Sequence, residues 1–165
     1  MNRSFPADLA GLTAAAVLFV YALVTPAAVP TRVLLPATLG PLRLIQSLTG
    51  AEAGAFVNRM HGRAVTPQAT AVGLYAGPAG TATLYHSVYR TGEQARRVDG
   101  GMRAKIETGK FPFGHPSQIV VGGTTITRCV GLGQIHYFSA TGPHLLWIAV
   151  DSSVADLARG LLSGF

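Results

Sequence analysis

The sequence predicts an α+β fold: a single N-terminal transmembrane helix, followed by a small domain with a mostly antiparallel sheet and about three helices packed on one face. Three observations lead to this prediction. The stretch Leu9–Val29 contains twenty-one consecutive residues without a charge. The rest of the chain alternates between helical and strand periodicity. Turns rich in glycine and proline separate neighbouring strands, which is typical of antiparallel hairpins.

The uncharged stretch is long enough to cross a bilayer once. A helix of this length reaches roughly 31 Å, about the thickness of the hydrocarbon core. Pro26 and Pro30 then end the helix. The sequence therefore predicts a single-pass anchor over residues 1–29. The side chains expected to meet lipid or other transmembrane helices include Leu9, Leu18, Phe19, Val20, Tyr21 and Leu23.

Two other interpretations of this stretch stay open at this point. Arg3 and the small residues at 25–28 are compatible with a cleaved signal peptide, although the apolar run exceeds the usual length of about 7–15 residues. A buried core helix is the other interpretation, but a helix on the surface of a small domain should show a polar face. The basic residues on the two sides of the stretch nearly balance. We expect the domain to lie outside the cytoplasm, in a periplasmic location.

The composition limits the classes of partner. Charged residues make up 12% of the chain, against about a quarter in typical proteins, so much of the surface must be neutral or apolar. The net charge of +6 comes almost wholly from arginine, but no basic stripe with interleaved aromatic residues appears, and nucleic acid is not an expected partner. Cys129 is the only cysteine, which excludes an intrachain disulfide and paired-cysteine metal motifs.

The domain predicted after the anchor begins with an extended tether. Residues 30–42 contain three prolines and a glycine, a composition that excludes a continuous helix. Residues 43–165 then suffice for one domain with its own core. The expected strands are 43–48, 71–76, 81–89, 118–130 with an interruption at 122–123, 134–140 and 144–150.

Three helices are expected, two between these strands and one after the last strand. Thr49 and Glu52 form a capping-box signature for the first, Thr91 begins the second, and Asp151 or Ser152 caps the third. Gly100 and Gly101 each cost about 1 kcal/mol relative to alanine inside a helix, which predicts a break or a close backbone approach there. The apolar faces are Ala53, Phe56, Val57 and Met60, then Ala95, Val98, Met102 and Ile106, and finally Val154, Leu157, Ala158 and Leu161.

No motif for catalysis or for metal binding stands out. His136, Cys129 and His86 are the weak metal candidates, but no two ligands occur at a recognised short spacing. Cys129 or a serine could be paired with His136 and Asp151, but no serine lies in a GxSxG elbow. The glycines at 122–123 and 131–133 are read as hairpin turns, because no helix follows them. We therefore expect no catalytic residue, no bound metal and no cofactor.

Two groups of residues are predicted to bind partners. Strand alternation is taken to place His136 and Phe138 on one face with Leu146 and Ile148. Tyr137 and Trp147 then fall on the opposite face, which predicts a contact surface there. The second group is a basic one that should face anionic lipid or an acidic partner; it comprises Arg90, Arg96, Arg97 and Arg103.

The combination of an anchor, a small rigid domain and a poorly charged surface favours one function. We expect a non-catalytic accessory or assembly subunit that sits in the lipid bilayer and docks on a larger integral-membrane complex of the respiratory or photosynthetic kind. Two alternatives stay open: a ligand- or metal-binding module at the membrane surface, and a small hydrolase.

Overall fold

The computed structural model describes residues 32–61, 65, 67–109, 112–156 and 158. The predicted transmembrane anchor, including Leu9, Leu18, Phe19, Val20, Tyr21 and Leu23, lies outside these residues. Among the helices within the described ranges, none has the length and apolar character needed to span a membrane. The expectation of a transmembrane helix therefore finds no counterpart in the part of the chain that the structure describes.

Within the described residues, eight antiparallel strands form one sheet that curves into a half-barrel. The strands are β1 Thr38–Leu39, β2 Leu42–Thr49, β3 Ala69–Gly77, β4 Gly80–Val88, β5 Phe113–Val121, β6 Thr124–Gly131, β7 Gln134–Thr141 and β8 His144–Val150. Their spatial order is β1-β2-β3-β4-β8-β7-β6-β5. The strands β1 to β4 form one half of the sheet and β5 to β8 the other, and the two halves join where β4 pairs with β8.

Two α-helices cover one face of the sheet, which we call the helix face. The first, α1, spans Gly50–His61, and the second, α2, spans Gly92–Glu107. Residues Ala53 and Val57 of α1 pack on Val72. Residues Ala95 and Ile106 of α2 pack in neighbouring clusters with Leu145 and Phe138, respectively. The helix face thus has an apolar layer in each half of the sheet.

The opposite face is covered by shorter pieces of chain. Its core contains Tyr75, Tyr137 and Ile148. Leu35, which precedes β1, and Val154, in the short 3-10 turn Ser152–Val154, pack against this core. Both faces are therefore buried, although only one of them carries α-helices.

The predicted α+β arrangement, with about three helices on one face, is wrong. Within the described residues the third predicted helix begins as a 3-10 turn, and its residues Val154, Ala155 and Ala158 pack on the face opposite the two α-helices. Leu157 and Leu161 lie outside the described residues. The sheet is also larger than expected, because the predicted tether supplies β1 and the predicted loop at 112–116 belongs mostly to β5.

Local packing explains two further differences in the helices. Residues Gly100 and Gly101 lie inside a continuous α2, and nothing approaches Gly101 within 4 Å, so neither the expected break nor a close backbone approach occurs. The cap at Thr91, whose side chain accepts a hydrogen bond from the Gln94 amide at 3.2 Å, helps to offset the glycine cost. In α1, Met60 is 54% exposed, so it does not complete the apolar face that was expected with Ala53 and Val57.

The expected distribution of aromatic residues on the two faces is also wrong. Thr141 pairs with His144 across a two-residue turn, so Phe138 lies opposite Trp147 and Tyr137 lies opposite Ile148. Directly opposed residues share a face of the sheet. Phe138 and Trp147 therefore lie together on the helix face, and Tyr137 lies with Ile148 on the other one. The turn length, which fixes the register of a hairpin, was the missing information.

Candidate functional site

A hydrogen-bonded aromatic cluster lies under α2 on the helix face. His136 Nε2 lies 2.9 Å from the Gly131 carbonyl oxygen, and Trp147 Nε1 donates to His136 Nδ1 at 3.1 Å. Because a carbonyl oxygen only accepts, Nε2 carries the proton and Nδ1 is the acceptor. Burial lowers the pKa of His136. The imidazole is therefore a neutral structural group whose two nitrogens are both engaged.

The three weak metal candidates do not converge. Cys129 pairs with His136 across neighbouring strands on the helix face, whereas His86 pairs with Leu146 on the opposite face. Cys129 is buried, and burial raises the pKa of its thiol to about 11, which keeps it protonated at neutral pH. Over the described ranges no group of three or more His, Cys, Asp or Glu side chains could hold a metal ion.

A pair of histidines lies where the two halves of the sheet join. His86 Nε2 and His144 Nδ1 are 3.0 Å apart, and the rings tilt at 51° with their centroids 5.2 Å apart. Burial, together with the nearby His144, lowers the pKa of His86 to about 4. His86 is therefore neutral at pH 7, and the pair bridges β4 and β8 by a hydrogen bond between two rings.

The combination of Cys129, His136 and Asp151 does not form a catalytic triad. Asp151 Oδ2 accepts from the Thr81 amide at 2.7 Å and from its hydroxyl at 2.9 Å, and Oδ1 accepts from Gln134 Nε2 at 3.2 Å. These hydrogen bonds lower the pKa of Asp151. The carboxylate ties the start of β4 to the start of β7. It makes no hydrogen bond to His136, whose nitrogens bind Trp147 and Gly131.

The two predicted contact aromatics occupy different environments. Tyr137 is 2% exposed and belongs to the core of the opposite face. Trp147 is half-buried and stacks on Phe138, with centroids 4.6 Å apart and an interplanar angle of 3°. Both side chains pack within the chain itself. Their predicted role in partner binding is not tested by this arrangement, but they do not share a surface.

The predicted basic group splits into two environments. Arg90 precedes α2 and is exposed, and Arg97 is exposed in an ion pair with Glu93 at 2.7 Å. Arg96 and Arg103 instead line a cavity of about 490 Å³ between α2 and the hairpin turns at the adjacent end of the sheet. The spacing of these two arginines, seven positions apart, places them on one side of the helix.

One feature that sequence reasoning missed is the open edge of the sheet. Within the described ranges, strand β5 ends the strand order and pairs with β6 alone. Val120 is 71% exposed on it. The turn glycines at 122–123 indicated where β5 ends, but no local pattern shows which strand of a sheet is outermost, because that depends on the distant pairing of β4 with β8.

Comparison of the chain with protein-family models, curated proteins and solved structures finds no match.

Proposed function

We propose that this chain is a non-catalytic accessory or assembly subunit that docks on a larger complex by accepting an extended segment of its partner along β5. The observation that supports the proposal most directly is the nine-residue edge strand Phe113–Val121, which has a strand on one side only within the described residues. An open edge presents unpaired amide and carbonyl groups. A peptide that adds as a ninth strand can pair with them.

The chain protects only the first part of this edge. His115 has a φ of +53°, and the pairing with β6 is irregular between Gly114 and Ser117. Pro116 also lacks an amide hydrogen, which blocks strand addition at that point. From Ser117 to Val121, regular pairing with β6 resumes. The irregular start thus leaves a regular segment of five residues available to a partner.

The regular segment also has suitable side chains. Ser117–Val121 contains no charged residue, whereas natural edge strands commonly carry lysine to prevent pairing with other chains. Val120 is a β-branched residue and is largely exposed, and its side chain offers apolar contact to a neighbouring strand. An uncharged, β-branched edge favours association by strand addition.

The other groups of the structure support a binding function over a hydrolytic one. His136, the histidine adjacent to Cys129, has both ring nitrogens engaged, and the Cys129 thiol has a raised pKa. An activated nucleophile needs a lowered pKa or a free neighbouring base. We therefore favour a subunit that binds over a small hydrolase.

The partner class follows from the sequence. The uncharged stretch Leu9–Val29, which lies outside the described residues, and the low content of charged residues suggest that the complex resides in a membrane. The proposed partner is thus an integral-membrane complex of the respiratory or photosynthetic kind, with the domain on the extracytoplasmic side.

Two variants of equal exposure test this proposal. Val120 and Leu132 are each 71% exposed and lie in the same half of the sheet, but Leu132 is in a turn and Val120 is in β5. Tagged wild-type chain, Val120→Arg and Leu132→Arg are expressed in the native source, and detergent extracts are separated by native gel electrophoresis. We expect wild type and Leu132→Arg to migrate in the same large assembly and Val120→Arg to migrate alone.

The opposite patterns contradict the proposal. If wild type itself migrates as an isolated chain, the protein is not a subunit of a stable complex. If Val120→Arg remains in the assembly while its thermal unfolding is unchanged, the docking surface lies elsewhere.

A further inference from the structure

A cavity beside α2 is lined by charged residues on one side and by threonines, glycines and Ala140 on the other. Arg96, Asp99 and Arg103 line it from the helix. The facing wall consists of the turn at Gly123, the start of β6 with Thr124 and Thr125, and the end of β7 with Thr141 and Gly142. The cavity measures about 490 Å³, which is within the range of about 300–1,000 Å³ typical of small-molecule sites.

The two arginines of the cavity form no salt bridge within the described part of the chain, although Arg103 lies near enough to Asp99 to influence its charge. The ion pair on α2 joins Arg97 to Glu93 instead. Arg96 and Arg103 lie on either side of Asp99, without a salt bridge to it within 4.0 Å. Guanidinium groups bind carboxylate and phosphate oxygens in a bidentate manner. The cavity therefore carries two cationic donor groups available to a ligand.

Asp99 provides an independent indication that a ligand belongs here. Its Oδ1 is buried without a hydrogen-bond partner in the described structure. Buried polar atoms of this kind are rare, and each calls for an explanation. Burial raises the pKa of the carboxyl to about 6, although Arg103 acts in the other direction. The protonated carboxyl is a hydrogen-bond donor, and an oxyanion in the cavity could accept from it.

We propose that this cavity binds a small tetrahedral oxyanion of the phosphate or phosphomonoester class. Arg96 and Arg103 neutralise its charge, and the threonine hydroxyls at 124, 125 and 141 supply neutral donors. A dianion needs two cations, which this wall of α2 provides. The site lies at the turns between β5 and β6 and between β7 and β8. It adjoins the end of β5, where Val121 pairs with Thr124, but the inference does not depend on the docking proposal.

Isothermal titration calorimetry of the full chain with inorganic phosphate tests the site. Chloride is the background salt, and the ionic strength is kept constant. We expect the wild type to bind phosphate and Arg103→Gln to bind at least tenfold more weakly. The matched control is Arg97→Gln. Arg97 lies on the same helix, but it pairs with Glu93 and does not line the cavity. This control should bind within twofold of wild type.

A lipid headgroup carries the same chemistry, and co-sedimentation with vesicles distinguishes the two sources. Vesicles of phosphatidic acid in phosphatidylcholine are compared with phosphatidylcholine alone. The site is supported if Arg103→Gln loses binding, and Arg97→Gln keeps it, either with inorganic phosphate or with the phosphatidic acid vesicles. Equal loss in both variants reflects only the net charge of α2 and overturns the proposal, as does the absence of binding in both arms.

The pH dependence gives a second readout, with sulfate as the probe because its charge stays constant between pH 5 and 8. Asp99 faces Arg96 and Arg103 on its own helix, and the residues of β6 and β7 that line the cavity are uncharged. Deprotonated Asp99 repels a dianion, so sulfate should bind at least threefold more tightly at pH 5 than at pH 7.5. Asp99→Asn should remove this difference and keep the tight binding. An unchanged pH dependence in Asp99→Asn contradicts the role of Asp99.

Discussion

The two halves of the sheet finish their outer edges differently. In the half built from β1 to β4, the Tyr75 hydroxyl donates to the Pro36 carbonyl at 2.9 Å, and the Leu44 amide donates to the Ala37 carbonyl at 3.0 Å. The chain preceding β2 thus covers the start of that edge, where Thr38 and Leu39 pair with Arg43 and Leu42. In the half built from β5 to β8, no described segment covers β5. The chain therefore covers the start of one outer strand and leaves the other, β5, without a described neighbour along its whole outer side.

The open edge is a local feature, because the rest of the half built from β5 to β8 is well packed. Under α2, Phe138 stacks on Trp147, and Phe113 meets the edge of Trp147 with centroids 5.4 Å apart. Ile106 and Cys129 complete the cluster. A rigid sheet with a bare edge is suited to strand addition, because a partner meets a strand that is already ordered.

The largest expected effect concerns the packing of this open half. Trp147→Ala removes the stack on Phe138 and the hydrogen bond to His136, and we expect the free energy of unfolding to fall by about 3–5 kcal/mol. Urea unfolding measures it. The control is Val120→Ala, an exposed change in the same half that should stay within about 0.5 kcal/mol. A loss below about 1 kcal/mol in Trp147→Ala would show that the aromatic cluster does not hold this half together.

Protonation of His86, at the junction between the two halves, should lower the stability of the fold at acid pH. The pKa of His86 is about 4 in the folded chain, against about 6.5 in the unfolded chain. Between these values the unfolded state binds more protons, so stability is fully present above about pH 6.5 and is lost as the pH falls towards 4. Urea unfolding between pH 7.5 and 4 measures this loss.

His86→Gln should make the pH profile of stability less steep in this window, because position 86 has no imidazole to protonate. The lowered pKa of His136 still contributes to the remaining slope. The matched control is His115→Gln, which changes an exposed histidine on β5 and should leave the slope as in wild type. If His86→Gln keeps the wild-type slope, another group controls the acid sensitivity of the junction.

The smallest stability effect should come from the contact between β3 and the chain that precedes β1. Tyr75→Phe removes the hydrogen bond to the Pro36 carbonyl, which should cost about 1 kcal/mol. The amides of β2 should then exchange with deuterium faster, while those of β5 should not change. An equal acceleration in both strands would mean that Tyr75 supports the whole sheet and not the edge.

Local chemistry explains which parts of this fold the sequence could predict. The hairpin at Gly77–Gly80 and the start of the second helix at Thr91 were predicted from neighbouring residues, and both are present. The register of β7 against β8 was wrong, because the expected faces did not take account of the two-residue turn that pairs Thr141 with His144. A shift of one residue moves every side chain to the other face.

The two proposed binding features depend on contacts that are distant in sequence. The open edge exists because β4 pairs with β8, which leaves β5 outermost. The polar cavity forms only where α2 meets the turns at Gly123 and Gly142. In the sequence, Arg96 and Arg103 were members of a general basic group, since helical spacing alone cannot show which arginines face a cavity.

Docking of a partner through β5 can be tested directly by measuring hydrogen exchange on the isolated chain and on the same chain within its native assembly. If a partner strand adds to the open edge, the amides of Ser117–Val121 that point away from β6 gain backbone hydrogen bonds. We predict at least tenfold slower exchange in this segment within the assembly, and unchanged exchange in β2, where the start of the strand is already paired with β1. Equal exchange of Ser117–Val121 in both states, or protection gained at β2 alone, would contradict docking through β5.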